Sequence, residues 1–240
     1  MLRRGNMKEM SKKVYIVLLS LAVSAFAIGT TEFVTVGLLQ TVADDLTISV
    51  TKAGTLISGY AVAIAVGTPI VTAITGRIPK KGFLLILMIV FILGNITSAI
   101  VETYEVLMIS RLITAIAHGV FFAIATTVAA DIVPENKKGT AISIMFTGLT
   151  VATIAGVPMG TYIGQQFGWR ATFSAVAVLG IMGLVTNLFA IDKVNRQTNP
   201  PTLKDVGQLV KNQRILLALL MTALGFGGTF ALFTYLAPIL

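Results

Sequence analysis

The chain contains no cysteine, which excludes disulfide bridges and thiolate metal sites and leaves the redox compartment open. It has one histidine, so no histidine cluster can hold a metal, and no metal site is expected. Charge is scarce: Asp, Glu, Lys and Arg make up 12% of the residues, against ~25% in soluble domains. No G-x-x-x-x-G-K-[ST] loop is present to cradle a nucleotide. Asp44, Asp45, Glu102 and Glu105 fall in short connections, where solvated charge is the simpler reading. These absences argue against an enzyme, against a bound cofactor and against ATP as the energy source.

Apolar residues fill the space instead. Hydrophobic types make up 55% of the chain, and the mean hydropathy is +0.89. A helix needs ~20 apolar residues to cross ~30 Å of hydrocarbon. Seven segments qualify: 14–39, 53–75, 82–101, 106–130, 139–164, 169–191 and 215–240. The first follows Arg3, Arg4, Lys8, Lys12 and Lys13, as a signal peptide would, but its apolar run is too long for one and further spans follow. It reads as a retained helix.

The net charge of +8 resolves into a topology. Of eighteen Lys and Arg, fifteen lie in the amino-terminal tail or in the connections after the second, fourth and sixth spans. Only Lys52 and Arg170 occupy the opposite side, and Arg111 lies within a span. Cytoplasmic loops hold the excess of basic residues, so a multi-pass protein of the cell membrane with a cytoplasmic amino terminus is expected. The basic charge is then topological, and nucleic acid is not an expected partner.

Connections are short except at 192–214, "DKVNRQTNPPTLKDVGQLVKNQR", a polar and basic linker in which Pro200 and Pro201 stop any helix. The expected organisation is a basic tail (1–13), a six-helix bundle (14–191), the linker, and one helix of a second bundle (215–240). A missing carboxy-terminal bundle, or a second chain supplying it, is the expected partner, alongside the lipid bilayer. Within the first bundle, "GYAVAIAVGTP" (Gly59 to Pro69) and "GLTVATIAGVP" (Gly148 to Pro158) share G-x7-G-x-P at an offset of 89 residues. At the same offset, Lys81 matches Arg170. Three helices separate the copies, so the second is inverted in the membrane, as in several secondary-transporter folds. Gly156 and Gly160 also form a G-x3-G pair suited to close helix contact.

An ionisable group inside a span is a functional candidate by default, because hydrocarbon solvates it poorly. Glu32 in the first span and Arg111 in the fourth are expected at similar depth, near the outer third of the bilayer, as a buried pair or as competitors for proton and substrate. A carboxyl in a low-dielectric cavity favours its neutral form, and an approaching guanidinium reverses that preference. Such a pair suits proton coupling. His118 lies at i+7 from Arg111 on roughly the same helix face, as a substrate-pathway residue or a hydrogen-bonded packing histidine. Asn95 and Asn187 are further substrate-pathway candidates, although interhelical hydrogen bonding suits them better.

"RLITAIAHGVFF" (111–122) followed by "GLTVATIAGVPMGTYIGQQFGWRATF" (148–173) resembles the arabinose-efflux-permease (AraJ-type) branch of the major facilitator superfamily, among the drug:proton antiporters. The resemblance implies an all-α membrane protein with the major facilitator fold. Its amino-terminal six-helix bundle is an inverted 3+3 repeat, followed here by a seventh transmembrane helix. It places Arg111 in a motif implicated in proton transfer, makes Gly148, Gly156, Pro158 and Gly160 an antiporter motif, and likens Glu32 to proton-carrying acids. Arg77, Lys80 and Lys81 match the family's cytoplasmic gating loop, but Gly76 stands where that loop has an aspartate and Pro79 where it has a glycine. The implied function is proton-gradient-driven efflux of small organic molecules such as drugs, sugars or purine nucleosides. An uptake carrier of the same fold and a truncated, non-transporting membrane module remain as alternatives.

Overall fold

The computed structural model describes residues 10–76, 78–191, 207 and 211–239, with backbone alone for 226 and 229–239. Among these residues the architecture is wholly helical. α1 (Lys12–Asp45), α2 (Val50–Thr75), α3 (Lys80–Ile100) and α4 (Tyr104–Asp131) are followed by a 3-10 turn, Glu135–Lys137. The fifth span is then composite: α5 (Lys138–Val151), a π turn (Ala152–Gly156) and α6 (Val157–Phe167). α7 (Trp169–Ala190) completes the bundle, and α8 (Gln213–Ile239) follows the linker. Among the described residues six spans, with α5, the π turn and α6 counted as one, are long and apolar enough to cross a membrane, and of the seventh expected span Gln213–Gly225 is a shorter apolar helix. Most of the linker and the basic tail lie outside the described residues.

Outward-facing side chains carry the stamp of lipid. Val62, Val66, Ile70 and Ile74 form an exposed i, i+4 stripe on α2, and Phe189 on α7 is 81% exposed. Inside, Leu18, Leu21, Phe91, Phe121 and Met145 anchor one apolar cluster and Val34, Leu38, Trp169 and Phe173 a second. The sequence places the end of the first span at residue 39, but α1 runs on to Asp45 because Gln40, Thr41 and Asp44 extend the helix beyond its apolar segment. Glu32 therefore sits nearer the middle of its helix than the outer third.

Close packing explains the repeated glycines. A methyl built on Gly148 would overlap the backbone carbonyl of Ala22, and one on Gly156 would overlap Thr30. Gly160 and Gly164 continue the stripe against Val34 and Leu38. On the other side of the bundle, Gly59 faces Met108 and Leu112, and a methyl built on Gly67 would overlap the Ile116 side chain. The offset of 89 that relates Gly59 to Gly148 carries Ala22 to position 111, between the two α4 residues that face Gly59. The α1–α5 and α2–α4 contacts are thus the same contact, made twice in inverted orientation.

The copies differ at their prolines. Pro69 sits within continuous α2, whereas Pro158 follows a π turn. Proline lacks the N–H that would meet the carbonyl four residues back; the π turn widens the helix there, and the Val157 N–H reaches the Ala152 carbonyl. Gly168, at φ +86°, makes the sharp turn from α6 into α7.

Gly148→Ala should therefore lower stability in detergent by about 1–3 kcal/mol, since the clash is with backbone that no rotamer change relieves. Gly139→Ala, where nothing lies within 4 Å, should leave the thermal unfolding midpoint unchanged or slightly raised.

Candidate functional site

Arg111 is 1% exposed and has no carboxylate within 4.0 Å among the described residues. Of the two arrangements expected for Glu32 and Arg111, a buried pair or competition for proton and substrate, the ion pair is not made. The guanidinium is held by neutral groups of α1 instead. Nη1 donates to Thr31 Oγ1 at 2.8 Å, and Nη2 to the Thr31 carbonyl at 2.9 Å and to Thr35 Oγ1 at 3.4 Å. Nε has no hydrogen-bond partner, but the guanidinium carbon lies 4.4 Å from the Tyr60 ring centroid and 5.2 Å from that of Phe173. Two aromatic faces thus compensate part of the lost hydration.

The network continues into α3. Thr31 Oγ1 passes its own hydrogen to Asn95 Oδ1 at 2.8 Å, and Asn95 Nδ2 donates to the Phe91 carbonyl. Asn187 on α7 donates to Ser24 Oγ on α1 at 2.8 Å. Both asparagines are fully buried, and neither lines either cavity described below. Asn95 ties α3 to α1 through Thr31 and Asn187 ties α7 to α1 through Ser24, while Asn187 Oδ1 has no hydrogen-bond partner.

Glu32 is left to a different neighbour. Its Oε2 lies 3.9 Å from His118 Nε2, while His118 Nδ1 is 3.2 Å from the Tyr60 hydroxyl. His118 also heads an aromatic column: its ring centroid is 5.1 Å from Phe122, and Phe122 stacks on Phe146 at 5.3 Å. Two cavities meet at the acid. One, of about 420 Å³, is lined by Glu32, Phe33, Leu39, Ile57, Tyr60 and Arg111 and lies toward the carboxy-terminal end of α1. The other, of about 400 Å³, is lined by Glu32, Phe33, Thr68, His118, Phe122 and Phe146 and lies toward the basic end, where α1 begins. Glu32 and Phe33 line both. These two adjacent α1 residues are the wall that the two cavities share.

The remaining predicted residues hold the rim. Lys80 Nζ meets Asp131 Oδ2 at 2.6 Å, joining the start of α3 to the end of α4. Lys81 donates to the Leu188 carbonyl on α7 at 2.9 Å, and Arg77 lies outside the described residues. With Gly76 in place of an acid, Asp131 of α4 supplies the carboxylate for this corner. The inverted counterpart stands at the other end, where Arg170 Nη1 meets Asp45 Oδ2 at 2.6 Å and joins the start of α7 to the end of α1. Gly148, Gly156 and Gly160 serve α1 packing, and none of them lines either cavity. Tyr60, Phe33 and Thr68 were not singled out by the sequence, although Tyr60 and Thr68 stand directly after Gly59 and Gly67 of the repeated motif.

An inverted pair of three-helix repeats, with one acid shared by two cavities, defines the class: half of a secondary-transporter fold. The sequence profile of the Major Facilitator Superfamily matches residues 21–240, and the chain belongs to that family. It is 52% identical over 223 residues to the uncharacterized MFS-type transporter YtbD of Bacillus subtilis (strain 168), covering 93% of this chain and 56% of that protein. It is 40% identical over 222 residues to a chloramphenicol resistance protein of Streptomyces lividans, covering 91% and 57% respectively. The chain thus spans about half the length of the curated relatives it matches. Among solved structures, a bacterial homologue of the human lysosomal transporter Spinster, inward-facing and unoccupied, superposes with a TM-score of 0.67 at 17% identity. That match covers 84% of this chain and 48% of the other, and it supports the fold alone.

Thr31→Val would leave an Arg111 N–H without its acceptor and Asn95 Oδ1 without its donor. An expected loss of about 1–3 kcal/mol, read by thermal unfolding in detergent, follows from stranding buried polar groups.

Proposed function

We infer that this chain forms the amino-terminal half of a proton-coupled exporter of small organic molecules that works by alternating access. The carrying observation is that Glu32 lines two cavities, one lined toward the carboxy-terminal end of α1 and the other toward the basic end. A carboxyl there takes up a proton from one side and releases it to the other as the shared wall shifts. Arg111, fixed to α1 by neutral partners, supplies a constant positive field that favours release. The proton gradient is the energy source, and no bound cofactor takes part.

The excess of basic residues in the tail and loops supports a cytoplasmic amino terminus in a cell-membrane protein. The cavity toward the basic end then faces inward, and its aromatic lining suits lipophilic compounds better than free sugars. The similarity to a chloramphenicol resistance protein of Streptomyces supports export of that kind of compound. A second six-helix bundle completes the pathway.

Vesicles containing the full-length protein should move labelled chloramphenicol in the presence of a pH gradient and stop when an uncoupler is added. Glu32→Gln should lower the gradient-driven rate by at least ~100-fold, the usual cost of losing a positioned acid or base. Wild-type rates in that variant, still sensitive to the uncoupler, would remove Glu32 from the coupling step.

A further inference from the structure

Thr68 Oγ1 and Thr72 Oγ1 are buried and have no hydrogen-bond partner. They lie one helical turn apart on α2, between the Glu32 level and the basic end. Pro69, between them, has no N–H to offer the carbonyl of Ala65, and Ala65, Thr68, Pro69 and His118 all line the cavity of about 400 Å³. Buried polar groups are satisfied in nearly all native proteins, by ordered water where no protein group serves. A polar site with room for water and several hydrogen-bonding groups holds it. Thr68 and His118 give this wall of the cavity its polar side chains, Thr72 lies outside the lining, and the opposite wall, Phe122, Phe146 and Leu149, is apolar.

His118 stands at the head of the track. Its Nδ1 is tied to the Tyr60 hydroxyl at 3.2 Å, which fixes the ring, and its Nε2 points to Glu32 at 3.9 Å. That separation exceeds hydrogen-bond reach, so transfer waits for a small approach or one bridging water. The titratable and charged groups around the ring are Glu32 from α1, Tyr60 from α2 and Arg111 from α4 itself. α5 presents Phe146 and Leu149 to the cavity and no charge.

Resting on the reading of Glu32 as the proton carrier, we propose that His118 is the relay through which Glu32 exchanges its proton with the basic end, through the cavity that Glu32, His118 and Thr68 line together. The Glu32 carboxyl gives its proton to His118 Nε2, leaving a carboxylate and an imidazolium whose Nδ1–H donates to Tyr60. The Nε2 proton then passes to water beside Thr68, and the ring returns to neutral. One proton leaves the acid and one reaches water. Tyr60 is a positioning residue and keeps its own proton throughout.

The test follows Glu32 by infrared spectroscopy on the full-length protein after a rapid pH jump, using the carboxylic C=O band that Glu32→Gln abolishes. His118→Gln should slow the rise and fall of that band by at least ~10-fold with its titration midpoint kept, and added imidazole should restore the rate. Thr68→Val should slow it several-fold. An unchanged rate in His118→Gln, or a slowed rate that imidazole does not restore, overturns the relay while leaving Glu32 as the carrier. Should His118→Gln fail to fold, Thr68→Val decides alone, and a wild-type rate there overturns the proposal. A band that never appears in the wild type overturns the Glu32 reading and the relay with it.

Discussion

A guanidinium cannot be shed of its charge, so burying one in a membrane-spanning bundle obliges the surrounding helices to solvate it. Arg111 meets that obligation without a carboxylate. α1 provides a carbonyl and two hydroxyls, α2 and α7 each provide an aromatic face, and α3 is drawn in through Asn95. Four helices are therefore registered against the fourth span by one side chain. Hydrogen bonds to a charged group are about twice as strong as neutral ones, and breaking this set would strand several buried groups at once. The register of the bundle depends on it.

The same arrangement frees Glu32. Had Arg111 closed on the acid as an ion pair, the carboxylate would be locked in its ionised form and could not shuttle a proton. Because the guanidinium spends its donors on Thr31 and Thr35, its influence on Glu32 is a field and not a bond. The acid is left facing His118 and two cavities. The wall that the two cavities share is Glu32 and Phe33 of α1.

Much of this is legible in the sequence, for identifiable reasons. Apolar runs of span length reveal seven segments, the first six of them the helices of the bundle in order. The offset of 89 reveals the inverted repeat, since identical close contacts demand glycine at identical positions. Arg111 and Glu32 stand out because charge is so costly in their surroundings. Rotation about the helix axes is not legible: depth arithmetic brings Glu32 and Arg111 to neighbouring levels but cannot say which face each presents, and so allows a pair that is not made. Tyr60 and Thr68 escape notice because a tyrosine and a threonine are ordinary in a membrane helix, and only their neighbours make them part of a site. The six residues by which α1 outruns its predicted end escape too, since polar residues hide a helix that continues past its apolar segment.

The two copies of the repeat are equivalent in position but not in stiffness. Gly148 abuts the backbone carbonyl of Ala22, so α1 and α5 cannot close further or slide without a backbone clash. Gly59 and Gly67 abut the side chains of Met108 and Ile116, which have other rotamers to adopt. α2 is also the span least buried by its neighbours, with Ala53, Leu56 and Tyr60 alone fully enclosed. Any shift of the cavity walls around Glu32 therefore falls more easily on α2 than on α1. Since α2 carries Tyr60 and Thr68, which line the two cavities beside Glu32, a small displacement of that helix moves these groups while the acid and Arg111 keep their places. The asymmetry of the repeat assigns α1 to hold the charge and α2 to change what the charge meets.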